Sequence, residues 1–492
     1  MPRLRPTTSS ALHDQLGTAT LEWTPDESET ALGRYTAKHG VAHLLWTDRR
    51  DDAEQRMLEL HYMSAFRSAW PTVVEPLAAW RTVGLERARN GFTRLAAELP
   101  DIAEADERGG KAAHAISAML EEMGLYAPGL SLSAWSVQAQ ERLLGPEHPS
   151  TLTALNNLAG LYDYNGQPDD ALRLYQQCLE ARERTLGHDH LDTLVSVNNL
   201  ALQHKLQGQY DDALPLYQRS LEGRERTLGP ENESTLTAVS NLGALYKSQG
   251  LYEKAEPLYQ RALEARERTL GEDHPETLLS VNNLAGLYHS QDRYDQAEAL
   301  YLRALEGKER TLGPEHPDTL LSVNALGILL RQQRRYEQAE PLFMRALEAW
   351  ERTLGPEHVD TLHALNNLAL FYDYQRQYDQ AEPLYLRCLE ARERTLGTDH
   401  QDTLTSINNL AMMYTDQGRS DAAETLYLRC LEARERTLGS EHRSTLISVN
   451  NLAFLYKNVG RYDEAQRLFR SNLEIRSRAL GPKHPDTLIS KD

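Results

Sequence analysis

Apolar positions along most of this chain return at i, i+3, i+4 and i+7. Between Thr361 and Arg376 the stripe is Leu362, Leu365, Leu368, Ala369 and Tyr372, the spacing of an amphipathic helix. After the polar turn Gln375-Arg376-Gln377 a second stripe follows: Ala381, Leu384, Tyr385, Cys388 and Leu389. The pattern predicts two antiparallel helices. The first is capped by Asp360 or Thr361 and runs to about Arg376; the second runs from Asp379 to a glycine stop at Gly397. Most copies of the turn carry glycine (Gly166, Gly208, Gly250, Gly418, Gly460). Pro215, Pro257, Pro341 and Pro383 are expected at the edge of the first turn of their helices, where little hydrogen bonding is lost.

The whole pattern repeats every 42 residues. A Leu-Gly pair opens each copy at Leu144, Leu186, Leu228, Leu270, Leu312, Leu354, Leu396 and Leu438, and a further copy opens at Leu480. A fixed period of this size predicts an all-α solenoid, because one helix pair cannot bury its apolar face alone. The expected divisions are a divergent helical head at 1–101, a degenerate first repeat at 102–143, eight regular repeats at 144–479 and a truncated start at 480–492. Gly124 and Tyr126 keep the register of the degenerate copy. Tryptophan sets the segment before the regular repeats apart, since Trp23, Trp46, Trp70, Trp80 and Trp135 all fall there and imply a core packed in its own way. Asp51 and Asp52 are placed to cap a helix carrying Met57, Leu60, Met63, Phe66 and Trp70, ended by Pro71.

Composition narrows the function classes. The chain has 492 residues, 40% apolar and 25% charged, and no apolar run near the ~20 residues that cross a bilayer. The N-terminal MPRLRPTTSS lacks the apolar core of a secretory signal, so a cytoplasmic protein without a membrane partner is expected. A net charge of −19 argues against non-specific nucleic-acid binding. Cys178, Cys388 and Cys430 share one repeat position, filled elsewhere by Ser220, Ala262, Ala304 and Ala346; they read as small buried thiols without a disulfide.

The residue pattern resembles a known family. Leu-Ala before Tyr, then Gly, Tyr, Ala, Tyr and a small residue at fixed offsets, is the tetratricopeptide signature. NNLA, Y-x-x-A-E-P-L-Y-x-R and LG-x-x-H-P together resemble the repeats of kinesin light chains over 144–492. No sustained heptads precede Leu144, so this resemblance is confined to the repeats. It implies a right-handed superhelix of helix pairs whose first helices line a concave groove. More weakly, a helical head followed by such repeats resembles the C-terminal half of bacterial signal-transducing NTPases. No G-x-x-x-x-G-K-[ST] phosphate loop occurs in the chain.

On the resemblance, groove positions of one first helix are His363, Asn366, Leu370, Asp373 and Tyr374. The asparagine column is Asn156, Asn198, Asn282, Asn324, Asn366, Asn408 and Asn450, broken by Ser240. A carboxamide donates and accepts, so these side chains suit the backbone of an extended peptide, as the family resemblance also implies. The alternative is a ladder of amides bonding from repeat to repeat. The adjacent Asn157, Asn199, Asn241, Asn283, Asn367, Asn409 and Asn451 read as structural. At the Asp373 level stand Asp163, Lys205, Lys247, His289, Arg331, Thr415 and Lys457, a basic bias inside an acidic chain. The apolar row Gly160, Leu202, Ala244, Gly286, Ile328, Leu370, Met412 and Phe454 grows bulkier toward the C-terminus. Such a groove suits a protein or peptide partner with acidic and hydrophobic anchors.

Catalysis finds no support in the sequence. His148, His190, His274, His316, His358, His400, His442 and His484 recur beside Pro or a cap residue, with Asn232 in their place once, which suits a turn residue rather than a metal ligand. No cofactor is expected. The Arg-Glu-Arg strip at 182–184 and its copies reads as a solvated face whose charges pair between repeats. Leu21–Glu27, a tryptophan flanked by acids, resembles the peptides that kinesin light chain grooves accept; it is either a plug in cis or an ordinary loop. Two functions follow: a non-catalytic adaptor binding through its groove, or a regulatory subunit acting with an NTPase or protease effector on a separate chain.

Overall fold

The computed structural model describes residues 85–97, 99 and 105–479, and every regular element among them is an α-helix. In chain order these are α1 (Leu85–Ala97), α2 (Glu107–Glu122), α3 (Tyr126–Leu144), α4 (Pro149–Tyr164), α5 (Pro168–Leu186), α6 (Leu191–Leu206) and α7 (Tyr210–Leu228). Then come α8 (Glu233–Ser248), α9 (Tyr252–Leu270), α10 (Pro275–Ser290), α11 (Tyr294–Leu312), α12 (Pro317–Gln332) and α13 (Tyr336–Thr353). The last six are α14 (Val359–Tyr374), α15 (Tyr378–Thr395), α16 (Gln401–Asp416), α17 (Ser420–Leu438), α18 (Arg443–Asn458) and α19 (Tyr462–Ala479). The expected helix through Met57–Trp70, the Leu21–Glu27 segment and the copy from Leu480 lie outside the described residues.

Seven of the first helices, α4, α6, α8, α10, α12, α16 and α18, start on one kind of cap at a fixed repeat position. His148, His190, His274, His316, His400 and His442 accept, through Nδ1, the backbone N–H two residues ahead at 3.1–3.2 Å. Asn232 does the same through Oδ1 at 2.9 Å, which explains why asparagine can replace histidine there. The cap expected at Asp360 or Thr361 is therefore displaced, and α14 already begins at Val359. The column of that threonine has another task. Thr151, Thr235, Thr277, Thr319, Thr403 and Thr445 donate to the carbonyl of the glycine six residues back, at 2.8–2.9 Å. Those glycines close the preceding helices with φ near +90°, as at Gly271 (91°, with ψ 165°), a conformation open to glycine alone. Replacing His316 by Ala should cost about 1 kcal/mol in urea denaturation, and His316→Asn only a few tenths.

Two sequence expectations need correction. Pro215, Pro257, Pro341 and Pro383 sit inside their helices, past the residues that lack intrahelical partners, so each forgoes one hydrogen bond. The first arginine of the Arg-Glu-Arg strip is not solvated. Arg182, Arg224, Arg266, Arg392 and Arg434 are at most 5% exposed. Arg182 Nη1 donates to the Asp192 carbonyl and Ser196 Oγ, both at 2.9 Å; Arg392 and Arg434 repeat this at 2.8–2.9 Å with Asp402 and Ser406, and with Ser444 and Ser448. Lys308 substitutes in one copy, reaching Asp318 O and Ser322 Oγ. The strip's glutamates do pair between repeats, as in Arg219–Glu183 and Arg429–Glu393 at 2.6 Å, on a surface where such pairs contribute little.

The chain forms two compact units. The first takes in the described residues up to Asn165 with 169–181 and 353–358; there α2 packs on α3 through Ile116, Met119, Leu120 and Leu132, and Ser136 Oγ donates to the Gly110 carbonyl at 2.7 Å. The second holds 166–168, 182–352 and the described part of 359–492. Its core runs on from helix pair to helix pair: Tyr385, Leu404, Ile407, Leu410, Tyr427, Leu452 and Leu455 belong to one cluster spanning α14–α19. A tyrosine–glutamate–arginine clamp also joins successive pairs. Tyr414 and Tyr456 donate to Glu382 and Glu424 at 2.9 Å, while Arg419 and Arg461 cover the tyrosine rings and bond the same carboxylates. All three cysteines are free and buried, their thiols directed at the carbonyls of Leu152, Leu362 and Leu404, the bond Ser220 makes with Leu194.

Candidate functional site

The asparagine column forms a ladder along the first helices. Asn241, Asn367, Asn409 and Asn451 donate through Nδ2 to Oδ1 of Asn198, Asn324, Asn366 and Asn408, at 2.9, 3.2, 3.1 and 3.0 Å. Of the two readings open from the sequence, the ladder thus accounts for the oxygens. Asn282 Oδ1 instead takes the Ser322 hydroxyl at 3.5 Å, because Ala325 replaces the donor amide of the next repeat. Asn156 and Asn450 are half-buried, and Asn366 and Asn408 are nearly covered. The amide nitrogens of Asn198, Asn324, Asn366 and Asn408 make no bond within the described residues, and none of them is sealed away from solvent. The ladder holds each carboxamide by its oxygen and leaves two N–H groups to donate elsewhere.

Beside it runs the charged column. Lys205, Lys247 and Arg331 are half-buried at the C-terminal turns of α6, α8 and α12, where the helix dipole favours a cation. No carboxylate among the described residues pairs with any of them. Burial lowers the pKa of all three, and Lys205 lowers that of Lys247 further. Arg331 lies over the Tyr374 ring at 4.5 Å, and Tyr374 is 61% exposed. His289, between Lys247 and Arg331, bonds Gln332, and burial holds its imidazole below the usual pKa. Lys457 is exposed at the far end of the column.

Asp373 interrupts the row. It is buried; Tyr385 donates to its Oδ2 at 3.3 Å, and Oδ1 has no partner. Burial, aided by Asp416 and opposed by the Tyr385 hydrogen bond, raises its pKa to about 6. In the apolar row Leu370 and Met412 are half-buried and Phe454 is 49% exposed.

Beside Ala244, a small residue of this row, a cavity of about 430 Å³ opens. Lys205, Lys247, Tyr259, Asn283 and Arg443 are among its lining residues. Sequence reasoning missed Arg443, which lies outside the groove columns. It also assigned Asn283 a structural role, yet that carboxamide bonds nothing among the described residues. Its ladder partner would stand at Ser240, whose hydroxyl turns back to the Leu236 carbonyl at 3.0 Å. The one break in the column was the available signal.

The recurring histidines serve as caps wherever a cap bond is seen, and among the described residues no group of His, Cys, Asp and Glu is arranged to hold a metal ion. No described helix is long and apolar enough to cross a membrane.

No curated protein matches the chain. Among solved structures it is similar to BtubC (BKLC) from P. vanneervenii, at 22% identity and TM-score 0.40 over 47% of this chain and 92% of that one. A putative kinesin light chain of Podosopora anserina with nearly identical TPR-like repeats matches at 28% identity and TM-score 0.36, over 42% and 98%. A Rap protein complexed with Competence and Sporulation Factor matches at 13% identity and TM-score 0.49, over 75% and 98%. The tetratricopeptide repeat family profile matches residues 110–184, 164–226, 192–268, 234–310, 276–343, 318–394, 360–436 and 402–457, and a second tetratricopeptide profile matches 445–486. With that coverage, and helix pairs at the same period, the chain belongs to the tetratricopeptide repeat family.

Proposed function

We propose that the chain is a non-catalytic scaffold that binds an extended peptide or a partner's segment along its first helices. The observation that carries this reading is the charged column: Lys205, Lys247 and Arg331 are half-buried cations to which the chain itself offers no carboxylate among the described residues. Desolvating a cation without a counter-charge is unfavourable, and an acidic ligand side chain would relieve it. The N–H groups that Asn198, Asn324, Asn366 and Asn408 leave unbonded among the described residues would bond the ligand's backbone carbonyls. Phe454, Met412 and Leu370 would receive its apolar side chains.

The test is an array of extended peptides pairing acidic with aromatic or aliphatic residues, probed with the full chain and followed by titration of the retained sequences. The triple variant Lys205→Glu/Lys247→Glu/Arg331→Glu should weaken binding by several kcal/mol, since each charged hydrogen bond lost is worth roughly 1.5–3 kcal/mol. Unchanged affinity, with circular dichroism showing an intact fold, would rule out the groove assignment.

A further inference from the structure

The second helices carry a surface that the groove does not use. On α15, Asp379, Pro383, Leu386 and Glu390 are spaced four, three and four apart, so they share one stripe, and all four are exposed. The helices α11, α13 and α17 repeat this stripe around Leu302, Met344 and Leu428. Each has an acid seven residues before and four after: Asp295 and Glu306, Glu337 and Glu348, Asp421 and Glu432. The four apolar side chains are 40, 41, 45 and 46% exposed. Single apolar residues on a surface are ordinary, but these occupy one column in four consecutive repeats. Gln176, Gln218 and Gln260 hold that position in the three repeats before, and Arg470 in the one after.

Successive stripes form one surface. The arginine that follows each apolar residue reaches back to a glutamate on the preceding second helix, as Arg345 does to Glu309 and Arg387 to Glu351. These pairs set the helices side by side and neutralise those cations. The stripe acids are left over: none forms an ion pair or a side-chain hydrogen bond among the described residues. Arg310 and Arg352, the arginines that feel Glu306 and Glu348, bond Asp273 and Glu315 instead. The result is an apolar row with a rail of carboxylates along either side.

We propose that this face docks a basic amphipathic helix of a partner protein. Its apolar stripe lies on Leu302, Met344, Leu386 and Leu428, and its lysines or arginines stand over the two acid rows. Neighbouring helices are roughly 10 Å apart, and residues seven apart on an α-helix are about 10.5 Å apart. One apolar residue every two turns therefore meets one anchor per repeat. An extended chain, whose same-face residues recur at about 6.6–6.8 Å, falls out of step. Four anchors call for a helix of about 22 residues. A second copy of this chain fits poorly, because at a net charge of −19 it would set carboxylates against carboxylates. The face is independent of the groove on the first helices, which is read as selecting acidic ligands.

The probe is a fluorescent helical peptide of about 22 residues, with leucine at every seventh position and lysine on both flanks of that stripe. It is compared with a scramble of the same composition and with a form carrying glutamate for lysine. Anisotropy titration with the full chain should show saturable binding of the first peptide, weakened by salt. The scramble should bind at least about tenfold more weakly, and the acidic form not at all. Leu386→Gln/Leu428→Gln introduces the residue that earlier repeats carry, which keeps the fold, and should weaken binding about tenfold or more. Glu348→Gln/Glu390→Gln should weaken it severalfold. Glu222→Gln/Glu264→Gln, at the same offset in repeats without the apolar row, should change nothing. The groove variant Lys205→Glu/Lys247→Glu/Arg331→Glu should not weaken it, so this face and the groove stand or fall separately. Circular dichroism keeps folded variants apart from unfolded ones. Equal binding of the scramble, or a folded Leu386→Gln/Leu428→Gln variant that binds as wild type, would overturn the site. So would a dimer in light scattering that the same variant dissolves, because the face would then belong to a second copy.

Discussion

Replacing Arg392 by Ala should destabilise the stack by about 3 kcal/mol, far beyond what an exposed arginine contributes. Arg392 is 2% exposed, and its Nη1 serves both the Asp402 carbonyl and Ser406 Oγ of the following repeat at 2.8 Å. Truncation removes both bonds at once and opens a cavity between α15 and α16. Contacts between nearest neighbours dominate the coupling of repeats, so the damage concentrates at one interface, and the urea transition should broaden or split there. Elsewhere the chain contains a second solution. At this column the fifth regular repeat has buried Trp350, and Ala364 stands where the next repeat would carry the serine acceptor. The double variant Arg392→Trp/Ser406→Ala should therefore recover a substantial part of the loss. Equilibrium denaturation of wild type, single and double variants, with hydrogen exchange across α15 and α16, decides it. A single variant as stable as wild type would mean the guanidinium is a passenger.

That column marks the limit of hydropathy as a guide. Arginine next to glutamate in Arg-Glu-Arg scores as surface, yet its stem lies between helices and its Nη1 donates to a carbonyl and a hydroxyl. The clue was pairwise in most copies: arginine or lysine occurs with serine fourteen residues on at 182, 266, 308, 392 and 434, though Arg224 stands with Ala238, while tryptophan occurs with alanine. The caps show the same lesson from the opposite side. Histidine is no standard cap, and its alternation with Asn232 becomes intelligible once Nδ1 is seen accepting a backbone N–H. The helix pairs and their period were legible because burial of one stripe per helix is a local property, written every 42 residues.

The candidate site was legible in part. The cations and the apolar row could be placed because they occupy fixed offsets within a repeat. The ladder could not be chosen over free amides, since it depends on contacts 43 residues apart, between one helix and the next of its kind. The loss of an acceptor for Asn283 follows from the break at Ser240, whose hydroxyl turns back into its own helix.

Asp373→Asn should raise stability at pH 7 by as much as about 3 kcal/mol, an unusual gain for a single substitution. The carboxyl is buried, one oxygen lacks a partner and Asp416 is close, so its pKa in the folded chain rises to about 6 from an ordinary value near 3.9. The sign follows from linkage. Folding favours the protonated form, so at pH 7 the group opposes folding, and the penalty fades as pH falls through 6 toward 4. An amide keeps an acceptor for the Tyr385 hydroxyl and removes the charge at every pH. Other groups titrate nearby: His289 and His442 have pKa values lowered by burial, so they lose stability as pH falls below about 6.5. Asp402, lowered to about 2, loses its contribution only at more acid pH. The difference between variant and wild type cancels these terms. It should be largest at pH 7 and shrink steadily by pH 4.5 in urea denaturation at fixed ionic strength. A difference that is flat across that range would show that Asp373 is ionised without penalty, and that water or a cation reaches the unpartnered oxygen.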